Sequence, residues 1–180
     1  MRKDRNRKAE IVKVLLDGQL KLRRLARERF AAELGIPLRG AAPDAFRFRP
    51  SPTSPSTADR RRALSIVDRF TNYASNRTRN TPTTELRRQA ETAVQTRLRV
   101  IATNEAVRAF EEERRELAEA YARETEARGT KRWDAANDAN TCDDCSSLGG
   151  TEIDLTDEFP DGDPPLHPNC RCSVEYFFDR

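Results

Sequence analysis

Four cysteines and the single histidine of this 180-residue chain fall within residues 142–172, as Cys142-x-x-Cys145 followed by His167-x-x-Cys170-x-Cys172. Thiolates and a neutral imidazole are the donors that hold Zn²⁺ in a tetrahedron. A Cys-x-x-Cys turn brings two thiolates to one ion, and a second His/Cys group downstream completes the set. Five donors compete for four places. The spacing favours Cys142, Cys145, His167 and Cys170 as two x-x-spaced pairs, with Cys172 competing for the last position and one Zn²⁺ expected per chain. Two disulfides, or buried thiols with His167 packed among them, are the alternatives this spacing leaves open, and a reducing compartment disfavours the disulfides. A catalytic cysteine fits less well, because the one imidazole is crowded among thiols.

Other chemistry is thinly represented. Asp138, Asp143, Asp144, Asp154, Asp157, Asp161 and Asp163 do not follow a Ca²⁺-loop spacing and read as an acidic, solvated run. One histidine excludes a His-Glu-x-x-His site, and no Gly-rich phosphate loop is present. The residue types therefore predict a clamp with no substrate turnover and no small-molecule substrate.

The clamp has to hold residues 130–180 together, since some fifty residues bury too little apolar surface to stand alone. Within them Lys131–Asp134, 151–153 and 173–177 read as short strands, and Trp133, the only tryptophan, is the expected packing centre. The preceding chain reads as helix. A first helix over about Arg5–Leu34 carries Ile11, Leu15, Leu22 and Leu25 as an apolar stripe and stops at Gly35 and Pro37. Residues 41–57 hold Pro43, Pro50, Pro52 and Pro55 and read as a linker, with Phe46 and Phe48 as docking residues. A second helix is expected from Thr57 as cap, with Leu64, Val67, Phe70 and Ala74 facing inward. A third begins at Thr81-Pro82 and runs, as one long helix or two, through Leu86, Ala90, Val94, Leu98, Ile101, Val107 or Ala109, Leu117 and Tyr121. Thr103-Asn104 is its weakest point, and Gly129 is its expected C′ residue. The fold class is thus mainly α, with a small Cys/His-clamped α+β module at the C-terminal end. The divisions are 1–40 (basic arm), 41–57 (linker), 58–129 (helical body) and 130–180 (module).

Charge is distributed unevenly. Residues 1–30 contain eleven Lys or Arg against four Asp or Glu, whereas residues 131–180 contain four against twelve. Arg2, Lys3, Arg5, Arg7, Lys8, Lys13, Lys21, Arg23, Arg24 and Arg27 are the candidate contacts to DNA or to an acidic protein face. The apolar share of 36% lies below the usual ~45–50% and predicts much exposed helix. No run of apolar residues is long enough to span a bilayer. The charged start, Met1-Arg2-Lys3-Asp4-Arg5, is followed by no apolar region of the kind a signal peptide needs, so synthesis in a reducing cytosol is expected.

From Ile101 to Cys172 the chain resembles the phage Mu protein F-like family of head morphogenesis, or minor capsid, proteins. The matching text is Ile101-Ala102-Thr103-Asn104-Glu105, Lys131-Arg132-Trp133, Asp138, Cys142-x-x-Cys145, Leu148-x-Gly150 and Pro164-Pro165-Leu166-His167-Pro168-Asn169-Cys170-Arg171-Cys172. The resemblance implies a low-copy structural protein of the virion, made in the bacterial host's cytoplasm. It would lie in the head interior or at the portal vertex, with portal protein, major capsid protein and packaged double-stranded DNA as expected partners. The rival class is a zinc-containing nucleic-acid-binding regulator, but such a module should be basic and this one is acidic.

Overall fold

A computed structural model describes residues 2–35, 54–79 and 83–179, with the side chains of 2–7, 78 and 79 left undescribed. In chain order the elements are α1 (Arg2–Leu34), α2 (Thr57–Arg79), α3 (Thr84–Thr125), β1 (Gly129–Asp134), α4 (Asp143–Leu148), β2 (Glu152–Asp154) and β3 (Ser173–Phe178). The protein is therefore mainly helical, with one small antiparallel sheet near its C-terminal end, as the patterning predicts. Phe46, Phe48 and the Thr81-Pro82 pair lie outside the described residues. No described helix is long and apolar enough to cross a membrane.

Each helix boundary has a local cause. α1 stops at Gly35, which takes a left-handed φ of 66° and donates its N–H to the Ala32 carbonyl. α2 is capped one residue earlier than expected. Ser56 Oγ accepts from the Asp59 N–H at 3.1 Å while Asp59 Oδ2 accepts from the Ser56 N–H at 3.0 Å, a reciprocal box that Thr57 cannot make. α3 starts from Thr83, whose hydroxyl accepts from the Leu86 N–H. It runs unbroken for 42 residues, straight through Thr103-Asn104. Its end is set by Glu126 at φ 55°, not by Gly129, which is the first residue of β1.

The chain divides into two compact units. The first comprises 2–21, 54–79 and 83–103 of the described residues; the second comprises 22–35 and 104–179, so the boundary in α3 falls between Thr103 and Asn104. In the first unit Leu16, Ala63, Val67 and Ala90 are buried, and Lys8 pairs with Asp68 at 2.8 Å. Leu64, assigned inward from its spacing, is 53% exposed, because the small Ala63 takes the inward position.

In the second unit the buried positions of α1 are Ala26, Phe30 and Ala31, while Leu25 is exposed. Ala26 and Phe30 stand about one turn apart on the inward face, and Leu25, about 100° round the helix from Ala26, is carried off it. Phe30 packs with Leu117, Ala118 and Leu155 and meets the rings of Tyr176 and Phe178 edge-on. The sheet has the order β2-β1-β3. Gly129, Lys131 and Trp133 of β1 lie opposite Phe178, Tyr176 and Val174 of β3. A side chain at Gly129 would sit 3.0 Å from Leu155 Cδ2 and 3.1 Å from the Phe178 ring, so a larger residue fits there only if those two side chains give way. On the other face Arg132 pairs with its register partner Glu175 at 2.7 Å.

Charges are also buried here. Glu113 is 1% exposed and pairs with Arg23 and Arg27 of α1. Arg114, equally buried, donates to the Val174 carbonyl at 2.6 Å and to Glu33 at 2.8 Å, tying α1, α3 and β3 together. A buried guanidinium is tolerated only when its donors are engaged in this way.

Candidate metal centre

The C-terminal residues fold into a core of Trp133, Ala135, Cys145, Leu148, Phe159, Cys170, Cys172 and Val174. Trp133 is 1% exposed and stands edge-on to Phe159, with ring centroids 5.3 Å apart. Lys131 reaches Asp163 at 3.0 Å across the Phe159 ring. These contacts form the floor on which the thiols are held.

Cys142 is the N-cap of α4, and its Sγ accepts from the Cys145 N–H at 3.4 Å. One helical turn therefore presents both sulfurs on one side. His167 Nε2 lies 3.1 Å from Cys142 Sγ and 3.1 Å from Cys145 Sγ, and Cys145 Sγ lies 3.8 Å from Cys170 Sγ. Two overlapping triads result, Cys142/Cys145/His167 and Cys145/Cys170/Cys172, each with its donor atoms within 4.8 Å of one another. The five predicted donors thus fall into two groups of three that share Cys145.

The donor set suits a soft tetrahedral ion. With Zn–S bonds of about 2.3 Å, two thiolates on one ion stand ~3.8 Å apart, the separation of Cys145 and Cys170. His167 Nδ1 is 2.9 Å from the Pro168 carbonyl. A carbonyl only accepts, so Nδ1 is the donor there and Nε2 is directed at the sulfurs, the orientation a metal-ligating imidazole adopts. Burial, followed by hydrogen bonds among the neighbouring thiols, pushes the Cys145 thiol well above its ordinary range. A metal ion bound beside it would compensate the thiolate, the form that acts as a ligand. All four cysteines are free thiols.

Further residues aim the cluster. Asp138 forms a bidentate pair with Arg171 and also accepts from the Asn140 N–H at 2.8 Å. That pairing joins the Cys-x-x-Cys side of the cluster to the His-Pro-Asn-Cys-Arg-Cys side, and Arg171 is the foremost cause holding the Asp138 carboxyl below its usual range. Asn104 Oδ1 accepts from the Asn169 N–H at 2.8 Å, and Asn169 has a left-handed φ of 63° between His167 and Cys170. Composition presents Asn104 as a weak point in a helix. Its role as a prop for the ligand turn, 65 residues away in the chain, has no local signal.

Of the acidic run, Asp138, Asp154 and Asp163 are committed to Arg171, Thr156 and Lys131. The cation candidates of α1 separate as well. Arg23 and Arg27 turn inward to Glu113, Lys8 pairs with Asp68 and Lys13 with Asp17, while Lys21 and Arg24 are exposed. The side chains of Arg2, Lys3, Arg5 and Arg7 lie outside the described residues.

A helical body carrying a small antiparallel sheet and a Cys/His cluster able to hold a metal ion is the class that this fold and site define. The family model described as phage Mu protein F like protein matches residues 57–175, most of the chain, and the protein belongs to that family. The match begins at the first residue of α2, well before the Ile101–Cys172 segment whose motifs carry the resemblance. Neither the curated proteins nor the solved structures include a significant match.

Proposed function

We propose that this protein is a minor head protein of a tailed phage or phage-like particle, acting in head morphogenesis by docking to portal or major capsid protein. Membership of the phage Mu protein F-like family carries this reading, since that family is one of phage head structural proteins. In the same reading, one Zn²⁺ held by Cys145 with three of Cys142, His167, Cys170 and Cys172 maintains the shape of the C-terminal docking element. Four protein ligands leave no open position for water, so the ion is structural and the protein turns over no substrate. The regulator alternative is disfavoured by charge: residues 104–179 hold eight Lys or Arg against twenty Asp or Glu, a field that repels nucleic acid.

The test is incorporation. Heads assembled with the Cys142→Ser, Cys145→Ser double variant should lack the protein while the variant keeps its helical content in solution. Normal incorporation of a metal-free variant would remove the docking role of the module. Metal-dependent cleavage of DNA, RNA or protein by the intact chain would overturn the structural reading itself.

A further inference from the structure

The two compact units differ sharply in charge. The described residues of the first hold seventeen Lys or Arg against seven Asp or Glu, a net of +10; those of the second hold twelve against twenty-two, a net of −10. The second unit therefore draws cations, and it contains a cleft of about 160 Å³ between α3, the 163–164 loop and β3. Arg108, Glu111, Glu112 and Arg115 share one face of α3 and line this cleft, with Asp163 and Tyr176 across from them. Arg108 and Glu112 are spent on each other, and further on Glu105 and Arg23. Arg115 stands 3.8 Å from Asp163 and 3.9 Å from Glu119, too far for a hydrogen bond.

Three acceptors remain. Glu111 is 5% exposed, yet its Oε2 meets only the Val174 N–H at 3.4 Å and Arg114 at 3.5 Å, and its Oε1 has no hydrogen-bond partner among the described residues. Asp163 gives Oδ1 to Lys131 and leaves Oδ2 without a hydrogen bond among the described residues. The Tyr176 hydroxyl likewise has no hydrogen-bond partner among them. A buried carboxylate is ordinarily held by charge-assisted bonds of about 2.7–2.9 Å. The cations facing Glu111 supply none of that length, because Arg114 is committed to the Val174 carbonyl and Glu33, and Arg29 to Glu33. Burial accordingly outweighs them and raises the Glu111 carboxyl to about 7, with Glu33 adding to the rise.

From this cleft we infer that the second unit binds a primary ammonium, the head of a lysine side chain on a partner protein, through Glu111, Asp163 and Tyr176. An ammonium carries three N–H donors for these three acceptors. A guanidinium fits less well, since its planar fork seeks a carboxylate with both oxygens free, and here each carboxylate has one oxygen spent. A carboxylate ligand would enter against three carboxyls, Glu111, Glu112 and Asp163, in an acidic unit. A divalent metal ion fits less well too, because the described acids do not gather there within 4.8 Å as the thiols do. The volume admits one side chain and falls short of the ~300–1,000 Å³ of a small-molecule pocket. This cleft is separate from the metal centre, and the inference does not rest on the head-protein reading.

The test titrates the full chain with an N-acetylated, C-amidated Gly-Lys-Gly peptide in 100 mM NaCl and follows the Glu111 carboxyl carbon by NMR, whose shift reports ionisation. The wild type should bind saturably, and about tenfold more tightly at pH 8 than at pH 6, because below about 7 a proton competes with the ammonium for the carboxyl. The matching Gly-Arg-Gly peptide should bind about fivefold more weakly or worse. Glu111→Gln should lower affinity about tenfold or more, and Tyr176→Phe about threefold to tenfold. Arg115→Gln should hold or raise it, since that change takes a cation away from the cleft. All three changes are close in shape or at a half-exposed site, and circular dichroism will show that the helices persist. Absence of saturable binding, equal affinity for the two peptides, or a flat pH profile would overturn the proposal. So would binding of butyrate in place of the lysine peptide, or a loss in Arg115→Gln as large as in Glu111→Gln. Binding of n-butylamine with the lysine peptide excluded would leave a site for small amines only and would overturn the protein partner.

Discussion

Cys145 is the residue on which the candidate centre converges. It is buried, it faces His167 and Cys170, and it is common to both donor triads. The expected outcome is one zinc per chain in reduced wild-type protein, complete loss of that metal in Cys145→Ser, and a smaller loss in Cys172→Ser. Elemental analysis after gel filtration makes the measurement, and a metal-free wild type would defeat the idea. Glu111 supplies a second test at this scale. Burial, outweighing the attraction of Arg114, pushes its carboxyl up to about 7 from an ordinary 4.5. Between those values the folded state holds a proton that the unfolded chain has lost. Stability therefore falls as pH rises from ~4.5 to ~7 and levels off above, by an amount on the order of 1–3 kcal/mol. Urea unfolding from pH 4.5 to 8 should show this slope in the wild type. Glu111→Gln should flatten it and be the more stable protein above pH 7. A variant with the wild-type slope would show that Glu111 is not the group responsible.

At the scale of elements, β1 decides how the module packs. Its inward residues are a glycine, a buried lysine and the tryptophan, and each is answered by a specific partner: Phe178, Asp163 and Phe159. Gly129→Ala inserts a methyl group against Leu155 and Phe178, both packed beside Phe30. A loss of about 1–3 kcal/mol is expected from such overpacking, with the strand and its register retained. Thermal unfolding measures it, and an unchanged midpoint would mean that the two neighbours give way freely. The buried pairs of Glu113 and Arg114 act at the same scale, since they fasten the second half of α1 and strand β3 to α3 through charges that water cannot screen.

At the scale of the molecule, order and charge divide between the two units. The second carries the Cys/His cluster, whereas the first is built from helices with no thiol among its described residues. Removing zinc with a chelator should speed amide exchange across 129–179 while leaving α2 and the first half of α3 protected. Exchange that rises uniformly along the chain would mean that the clamp supports the whole protein, and exchange that rises nowhere would mean that it supports nothing. The charge division has its own consequence. A charged partner drawn to one unit is repelled by the other.

Much of this was legible in the residues alone. Helices follow from spacing and caps, which are local, so α1, α2 and α3 are visible before any contact is known. The sheet segments after Gly129 and the five clustered donors are equally visible, because β-rich short runs and Cys/His spacing are one-dimensional signals. What lay beyond the sequence depends on contacts between distant positions. Which of Leu25 and Ala26 faces inward is decided by what packs against α1, because an alanine gives no apolar signal strong enough to mark a helix face. Gly129 reads as a helix stop, yet it opens β1 and is crowded by Leu155 and Phe178, neither of which is its neighbour in the chain. Arg23 and Arg27 look like free cations until Glu113 is placed beside them. Asn104 supports a turn 65 residues away, and Cys145 stands at the junction of two triads that only the fold assembles. Composition and spacing determine which groups are available; tertiary packing alone decides which are buried, and burial decides which charges and thiols must find partners.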